Sequence, residues 1–351
     1  MPTNTKMATP DLPQEILIEI FSRLPTKSVG KFKCLSKSWR GLLSTTQFIK
    51  LHLTRIAHEE SLILISPSNS LHSITLPIKY DSISRSIELT NTWTKVVGSC
   101  NGLALLANDD DEVFVVNPIT LQQVKIPDSP LTLEEEESLT TYGFGYDCSS
   151  DDYKIVALSY FDTYDTDCVD TFVEVYSLKR GVWKRVNNYG LDVPELPCGA
   201  FVNGAIHWVA STRESGNPLV IAAFDLANET FYEIPSPIAD DDSVLCELVV
   251  LGGCLCMVIT EGSNVTCFWV MKNCGLVESW TKFSVDVDPQ WNIDKPLCFI
   301  GDDEVLLLTL NESLIVYNLK EKMVSAGIPG RFADGGTFVE SLVSPAFSVS
   351  N

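Results

Sequence analysis

Four histidines, His52, His58, His72 and His207, and eleven cysteines are the side chains of this 351-residue sequence best suited to nucleophilic or metal chemistry. A nucleophile needs a base held against it, and a structural zinc site needs paired Cys or His ligands at short spacing. No CxxC occurs, only Cys254 and Cys256 lie close together, and no histidine pairs with a Cys or Ser in a known catalytic arrangement. GxxxxGK[ST], HExxH and GxSxG are absent as well. The histidines are therefore expected to be packed or surface residues, and the thiols reduced core residues.

Carboxylates supply the other constellation. They cluster at Asp109, Asp110, Asp111 and Glu112, at Glu134, Glu135, Glu136 and Glu137, and at Asp151 and Asp152. Further clusters are Asp162 with Asp165 and Asp167, Asp240, Asp241 and Asp242, and Asp302, Asp303 and Glu304. None has the spacing of an EF-hand calcium loop, so neither metal nor cofactor is expected. Most fall between apolar runs and read as solvated turns; several on one face would form a negative surface for a basic partner.

The charge is uneven. Residues 1–60 hold nine Lys and Arg against five Asp and Glu, leaving 16 basic and 41 acidic residues in the rest of a chain of formal charge -21. A body near -25 repels phosphate backbones and anionic lipid, which argues against binding nucleic acid. The first ten residues carry no secretory signal, and the apolar run at 248–259 is too short to span a bilayer. An intracellular chain, cytoplasmic or nuclear, is expected, which makes the sequons at Asn228, Asn264 and Asn311 chance matches.

Two kinds of element must position these residues. In DLPQEILIEIFSRLP, Asp11 can cap a helix, Pro13 fits its first turn, and Leu12, Ile16, Leu17, Ile20, Phe21 and Leu24 recur at helical period until Pro25. A second helix is expected over 27–34 and a third, capped by Ser36, from there to Leu43. Three helices of this size cannot bury their own apolar faces. The head either packs on the body or docks on another chain, with Lys27, Lys31, Lys33, Lys37 and Arg40 as a basic rim.

Beyond residue 60 a strand ending in a polar residue and a turn recurs, at LILISP, VFVVNP, VEVYSL, AAFDLA, CFWVMK and LIVYNL. Aligned on Ser66, Asn117, Ser177, Asp225, Lys272 and Asn318, the intervals are 51, 60, 48, 47 and 46 residues. Between the copies lie strand pairs joined by Asn-Gly, Gly-Gly or Asp-rich turns. Four short strands per unit at this period predict a β-propeller of about six blades, closed by residues 336–345 completing the first.

The stretch LPQEILIEIFSRLPTKSVGKFKCLSKSWRGLL resembles a plant F-box, and NGLALL, YGFGYDCSSDDYKIVAL, GAFVNGAIHWVA and FDLANETFYEIP resemble the F-box-associated, kelch-like domain that follows it in plant F-box proteins. Gly30 stands where the family usually has an apolar residue, and Leu35 where Val is commoner. The expected architecture is multi-domain: a tail over 1–10, a small all-α three-helix F-box over 11–50, a linker over 51–60, an all-β propeller-like domain over 61–345 and a tail over 346–351. The resemblance implies docking to a Skp1 adaptor, and through it to cullin and RING subunits, with Leu12, Pro13, Ile16, Leu17, Ile20, Leu24, Pro25, Val29, Phe32, Leu35, Lys37 and Trp39 either touching the adaptor or holding the helices. It further implies capture of a target protein by the propeller for ubiquitination and degradation, with the chain itself no enzyme. The substrate face is unassigned, with the acidic turns as candidates. The body is similar to F-box proteins that limit immune-receptor accumulation in plant defence, and more distantly to those recognising basic ribonucleases. A non-degradative scaffold and a propeller enzyme remain as alternatives.

Overall fold

Each of the first two helices begins directly after a proline. Pro13 (φ -52°, ψ 144°) precedes α1 (Gln14–Phe21) and Pro25 (φ -54°, ψ 144°) precedes α2 (Thr26–Leu35). The extended ψ turns the chain into the helix, and proline's missing N–H falls where no helical acceptor exists. No side chain caps α1, and Asp11, expected to do so, lies outside the described residues. The computed structural model describes residues 12–56, 60–76, 86–87, 92–110, 112–130, 138–161, 171–186, 191–192, 198–212, 219–238, 246–261 and 265–346.

Ser36 starts α3 (Lys37–Leu43) in an extended conformation, though its side chain makes no cap. A fourth helix, α4 (Thr46–Ile56), corrects the expected count of three and runs through the first part of the expected linker. Its Phe48, His52 and Ile56 recur every four residues and are buried, and His52 Nε2 lies 2.9 Å from the Leu24 carbonyl. The apolar side chains of the four helices form one cluster around Phe21, Val29, Leu43 and Phe48.

The remaining strands form six sheets, each joined to the next around a ring. Blade I is 60–87 with a strand from the far end of the chain; blades II to VI are 93–125, 138–186, 191–235, 246–286 and 293–328. Among the described residues five sheets have four strands; in blade IV, Leu191–Asp192 and Ala200–Val202 both pair with Ala205–Thr212 and share the innermost position. Alternating residues of each sheet face the two neighbouring blades, so the core is a set of seams rather than one ball. Blades III and IV, for example, bury Val156, Trp208 and Phe224 together, and blades V and VI bury Val258, Phe268 and Leu307.

The recurring polar residue has a mechanical job. Asn117, Asp225 and Asn318 each use Oδ1 to accept two backbone N–H groups of the turn that follows, at 2.8–3.0 Å, which starts the outermost strand. The Asn-Gly turns at Asn101–Gly102 and Asn203–Gly204 place both residues at positive φ (51° and 81°, 49° and 83°), as tight hairpins demand. The copy at Ser66 is out of phase. Its strand, Glu60–Ile65, is the second of blade I, whereas the other copies are third strands. The reason is closure. The innermost strand of blade I is Asp334–Val339, paired antiparallel to Glu60–Ile65 from Ile65↔Asp334 to Glu60↔Val339. Residues 340–345, expected in that strand, leave the sheet.

Candidate docking surfaces

Both faces of α1 carry apolar side chains, and the structure separates them. Leu12, Ile16 and Ile20, spaced by four, are 53, 46 and 46 % exposed, and Leu35 at the end of α2 is 71 % exposed. Pro13, Pro25 and Lys37 are exposed too. The other expected residues point inward: Val29 is fully buried, and Leu17, Leu24, Phe32 and Trp39 are half-buried against the same cluster. Phe21, Phe32 and Trp39 form a triangle of rings with centroids 5.0, 5.3 and 5.6 Å apart. Exposed apolar side chains repeating on one helix face form a candidate docking surface; the inward group holds the helices that carry it.

The basic rim is smaller than its sequence suggests. Lys27 is turned to the body, where its Nζ lies 2.7 Å from Glu340 Oε1. Burial lowers Lys33, and the neighbouring Arg40 lowers it further. Lys31, Lys37 and Arg40 remain exposed.

The helices rest on one face of the propeller. Lys50 Nζ of α4 pairs with Asp151 Oδ1 at 2.6 Å in a turn of blade III, and Thr26 Oγ1 donates to the Glu340 carbonyl at 3.1 Å. This face carries the connections between first and second, and third and fourth, strands, which in blades II, III, IV and VI span two to four residues. Of the connections of ten or more residues, 126–137, 162–171 and 236–245 join strand ends at the opposite face, and 76–85 follows Thr75, whose Oγ1 lies 3.4 Å from Lys27 Nζ at the helical face.

The acidic turns do not share one face. Asp109 and Asp110 lie between Leu103–Asn108 and Val113–Asn117, at the face away from the helices, whereas Asp302 and Asp303 lie between Ile293–Ile300 and Glu304–Thr309, at the helical face. An even or odd number of strand passages decides the side, which spacing along the sequence does not reveal. Asp109 is tied to the neighbouring blade by Asn69 Nδ2, which donates to both its carboxylate oxygens at 2.9 and 3.1 Å. Asp111, Glu134, Glu135, Asp240 and Asp241 lie outside the described residues.

A charged group that the sequence reading missed lines the start of the innermost strands, at the face away from the helices. Lys95, Glu247, Asp294, Lys295 and Asp334 each fall within the first three residues of such a strand. Asp334 pairs with Lys295 across blades I and VI and accepts the Val96 N–H of blade II at 2.6 Å. Burial works against charge on Lys295 but is outweighed by Asp334 and Glu247, and its ammonium is raised. Burial also raises the carboxyls of Glu247 and Asp294, against the pull of Lys295. No signal in the sequence marks these residues, since they come from four separate strands.

His207 is fully buried with Nδ1 3.1 Å from the Ala200 carbonyl, and burial lowers it. Among the described residues no three His, Cys, Asp or Glu converge as a metal site would require. His58 and Cys168 lie outside those residues. GYDCSSDDYKIVAL is structural: Asp147 Oδ1 accepts Ser149 N at 2.8 Å, and Lys154 bridges Asp147 and Glu229 of blade IV at 3.0 and 3.1 Å.

Comparison with known proteins follows the same division. Residues 10–51 match the family model of the F-box domain, and residues 36–331 that of the F-box associated beta propeller domain. The chain is 30 % identical to an F-box/kelch-repeat protein of Arabidopsis thaliana over 98 % of each chain. It is also 30 % identical to the F-box protein CPR1 of that plant, over 91 % of this chain and 84 % of CPR1. A fungal lectin with a six-bladed β-propeller fold, from Aleuria aurantia, is similar at 12 % identity and a TM-score of 0.44, covering 77 % of this chain and 91 % of the lectin.

Proposed function

The chain belongs to the plant F-box proteins that carry an F-box associated beta propeller domain, and from that membership we propose that it is the target-recognising subunit of a Skp1–cullin–F-box ubiquitin ligase. The observation that carries this reading is the exposed stripe Leu12, Ile16, Ile20 with Leu35, on helices held to a propeller. The stripe docks the Skp1-type adaptor, and the propeller brings a target protein to a ubiquitin-transferring enzyme elsewhere in the assembly. The chain contributes proximity, a high effective concentration of target near that enzyme, and no reacting group.

Target capture belongs to the face away from the helices. That face carries the charged mouth formed by Lys95, Glu247, Asp294, Lys295 and Asp334 and the acidic turn of Asp109 and Asp110. A body of 41 acidic and 16 basic residues suits a target with a basic surface. The assembly would act in the cytoplasm or nucleus, and turnover of a defence component is the pathway its resemblances favour.

Co-purification tests the reading. The intact chain should bring down a Skp1-type adaptor, and Leu12→Asp should abolish this while the propeller melts unchanged. An intact chain that brings down no such adaptor leaves a scaffold or an enzyme. A version lacking residues 11–50 should trap targets undegraded, so that if no protein accumulates on it the degradative role is wrong.

A further inference from the structure

After Val339 the chain leaves blade I and runs between the helices and the propeller, and its side chains divide between them. Glu340 takes the head: its carbonyl accepts Thr26 Oγ1 at 3.1 Å and its carboxylate pairs with Lys27 at 2.7 Å. Leu342 is buried in the helical core beside Phe21, Val29, Leu43 and Phe48. Val343 packs instead on the seam between blades II and III. Ser341 is fully buried against the Asn101–Gly102 turn, so closely that a Cβ on Gly102 would lie 2.1 Å from Ser341 Oγ. Asn117 Nδ2 donates to the carbonyls of Ser341 and Val343 at 3.1 and 2.7 Å. Adjacent residues of an extended segment point to opposite sides, which lets one strap serve two domains.

We propose that residues 340–346 are a clamp that holds the F-box helices and the propeller at one fixed orientation, and that this clamp is separable from the closing of the propeller. The strap supplies a side chain to the head core, yet the six blades are already closed by Asp334–Val339. Its function rests on the ligase reading: a rigid arm presents the target to the transferring enzyme at one distance and angle, where a hinged arm would spread the same target over many. The salt bridge of Lys50 with Asp151 is a second, exposed tie and is weak alone.

The test measures the angle between the domains rather than activity. Cys34 on α2 and Cys274 on blade V are exposed and free, so the full chain with Cys148 and Cys168 changed to Ser and the half-buried Cys198 and Cys254 changed to Ala can carry one spin label on each domain. Asn117→Asp keeps the oxygen that accepts Ile119 and Thr120 N–H but removes both donors to the strap. Combined with Leu342→Ala it should replace one narrow interlabel distance by a broad distribution, while adaptor co-purification and the propeller's melting are retained. The same narrow distance in wild type and double variant overturns the clamp. If the double variant does not fold, Asn117→Asp alone decides: broadening supports the clamp and an unchanged width rejects it. Because adaptor binding is read separately, its loss in wild type would refute the ligase reading and leave the clamp standing.

Discussion

Glu19 sits between two guanidinium groups, Arg55 Nη2 at 2.6 Å from Oε2 and Arg23 Nη2 at 2.5 Å from Oε1. The hydrogen bond from Arg55, then that from Arg23, brings its carboxyl from an ordinary 4.5 down to about 2. A depressed carboxyl stabilises the fold above its unfolded pKa and loses that contribution as pH falls through the folded value. The deficit of Glu19→Gln relative to wild type should therefore be full at neutral pH and vanish between about 4.5 and about 2; denaturant melts across that range would show a constant deficit if neither guanidinium held the carboxylate. The neighbouring apolar residues separate by the same logic of contact. Leu35→Ala should change stability by less than about 0.5 kcal/mol and weaken adaptor binding, whereas Val29→Ala should cost about 2 kcal/mol. The sequence showed which residues matter together, through their period and resemblance. It could not tell the outward from the inward members, because a stripe wide enough to do both reads as one stripe. Trp39 is such a case: its place in the triangle with Phe21 and Phe32 makes Trp39→Ala a change to the fold first.

At the scale of elements, local turn chemistry was legible and long-range docking was not. Asn-Gly pairs announced hairpins because few residues accept positive φ twice in succession, and both Asn101–Gly102 and Asn203–Gly204 do so. The α4 helix escaped notice because its buried face, Phe48, His52 and Ile56, includes a histidine and so breaks the apolar pattern. The 340–346 strap escaped because Ser341 is buried against the propeller and Leu342 in the helical core, and burial by two different domains leaves no period in the sequence. Glycines show the same contrast. A Cβ on Gly143 would lie 2.4 Å from Ile206 Cγ2 and 2.9 Å from Trp208 Cζ2, at the III–IV seam. Gly143→Ala should cost about 1–3 kcal/mol through overpacking. Gly30, in the interior of α2, has nothing within 4 Å of such a Cβ. Gly30→Ala should stabilise the helices by about 0.5–1 kcal/mol, by removing unfolded-state freedom and supplying a better helix former. Thermal melts of the two variants should move in opposite directions.

For the whole molecule, two adjacent segments, 334–339 and 340–346, do different work. Asp334–Val339 is the innermost strand of blade I, pairing over its full length with Glu60–Ile65 and touching blades II and VI through Asp334. Without it blade I keeps three strands, Glu60–Ile65 loses its inner partner, and the ring has an open edge of unpaired backbone groups. The next seven residues contribute no strand, only the strap between the domains. Two truncations separate these roles. A chain ending at Ala333 should lose the cooperative melt of the propeller and aggregate through the open edge. A chain ending at Val339 should retain that melt, because every blade is complete, while its helices lose Leu342 and their fixed seat on blades I to III. Calorimetry and sedimentation of the pair give the decision. Equal loss of the propeller transition in both would mean that residues 340–346 belong to the propeller's own fold, and equal retention would mean that ring closure does not need the last strand.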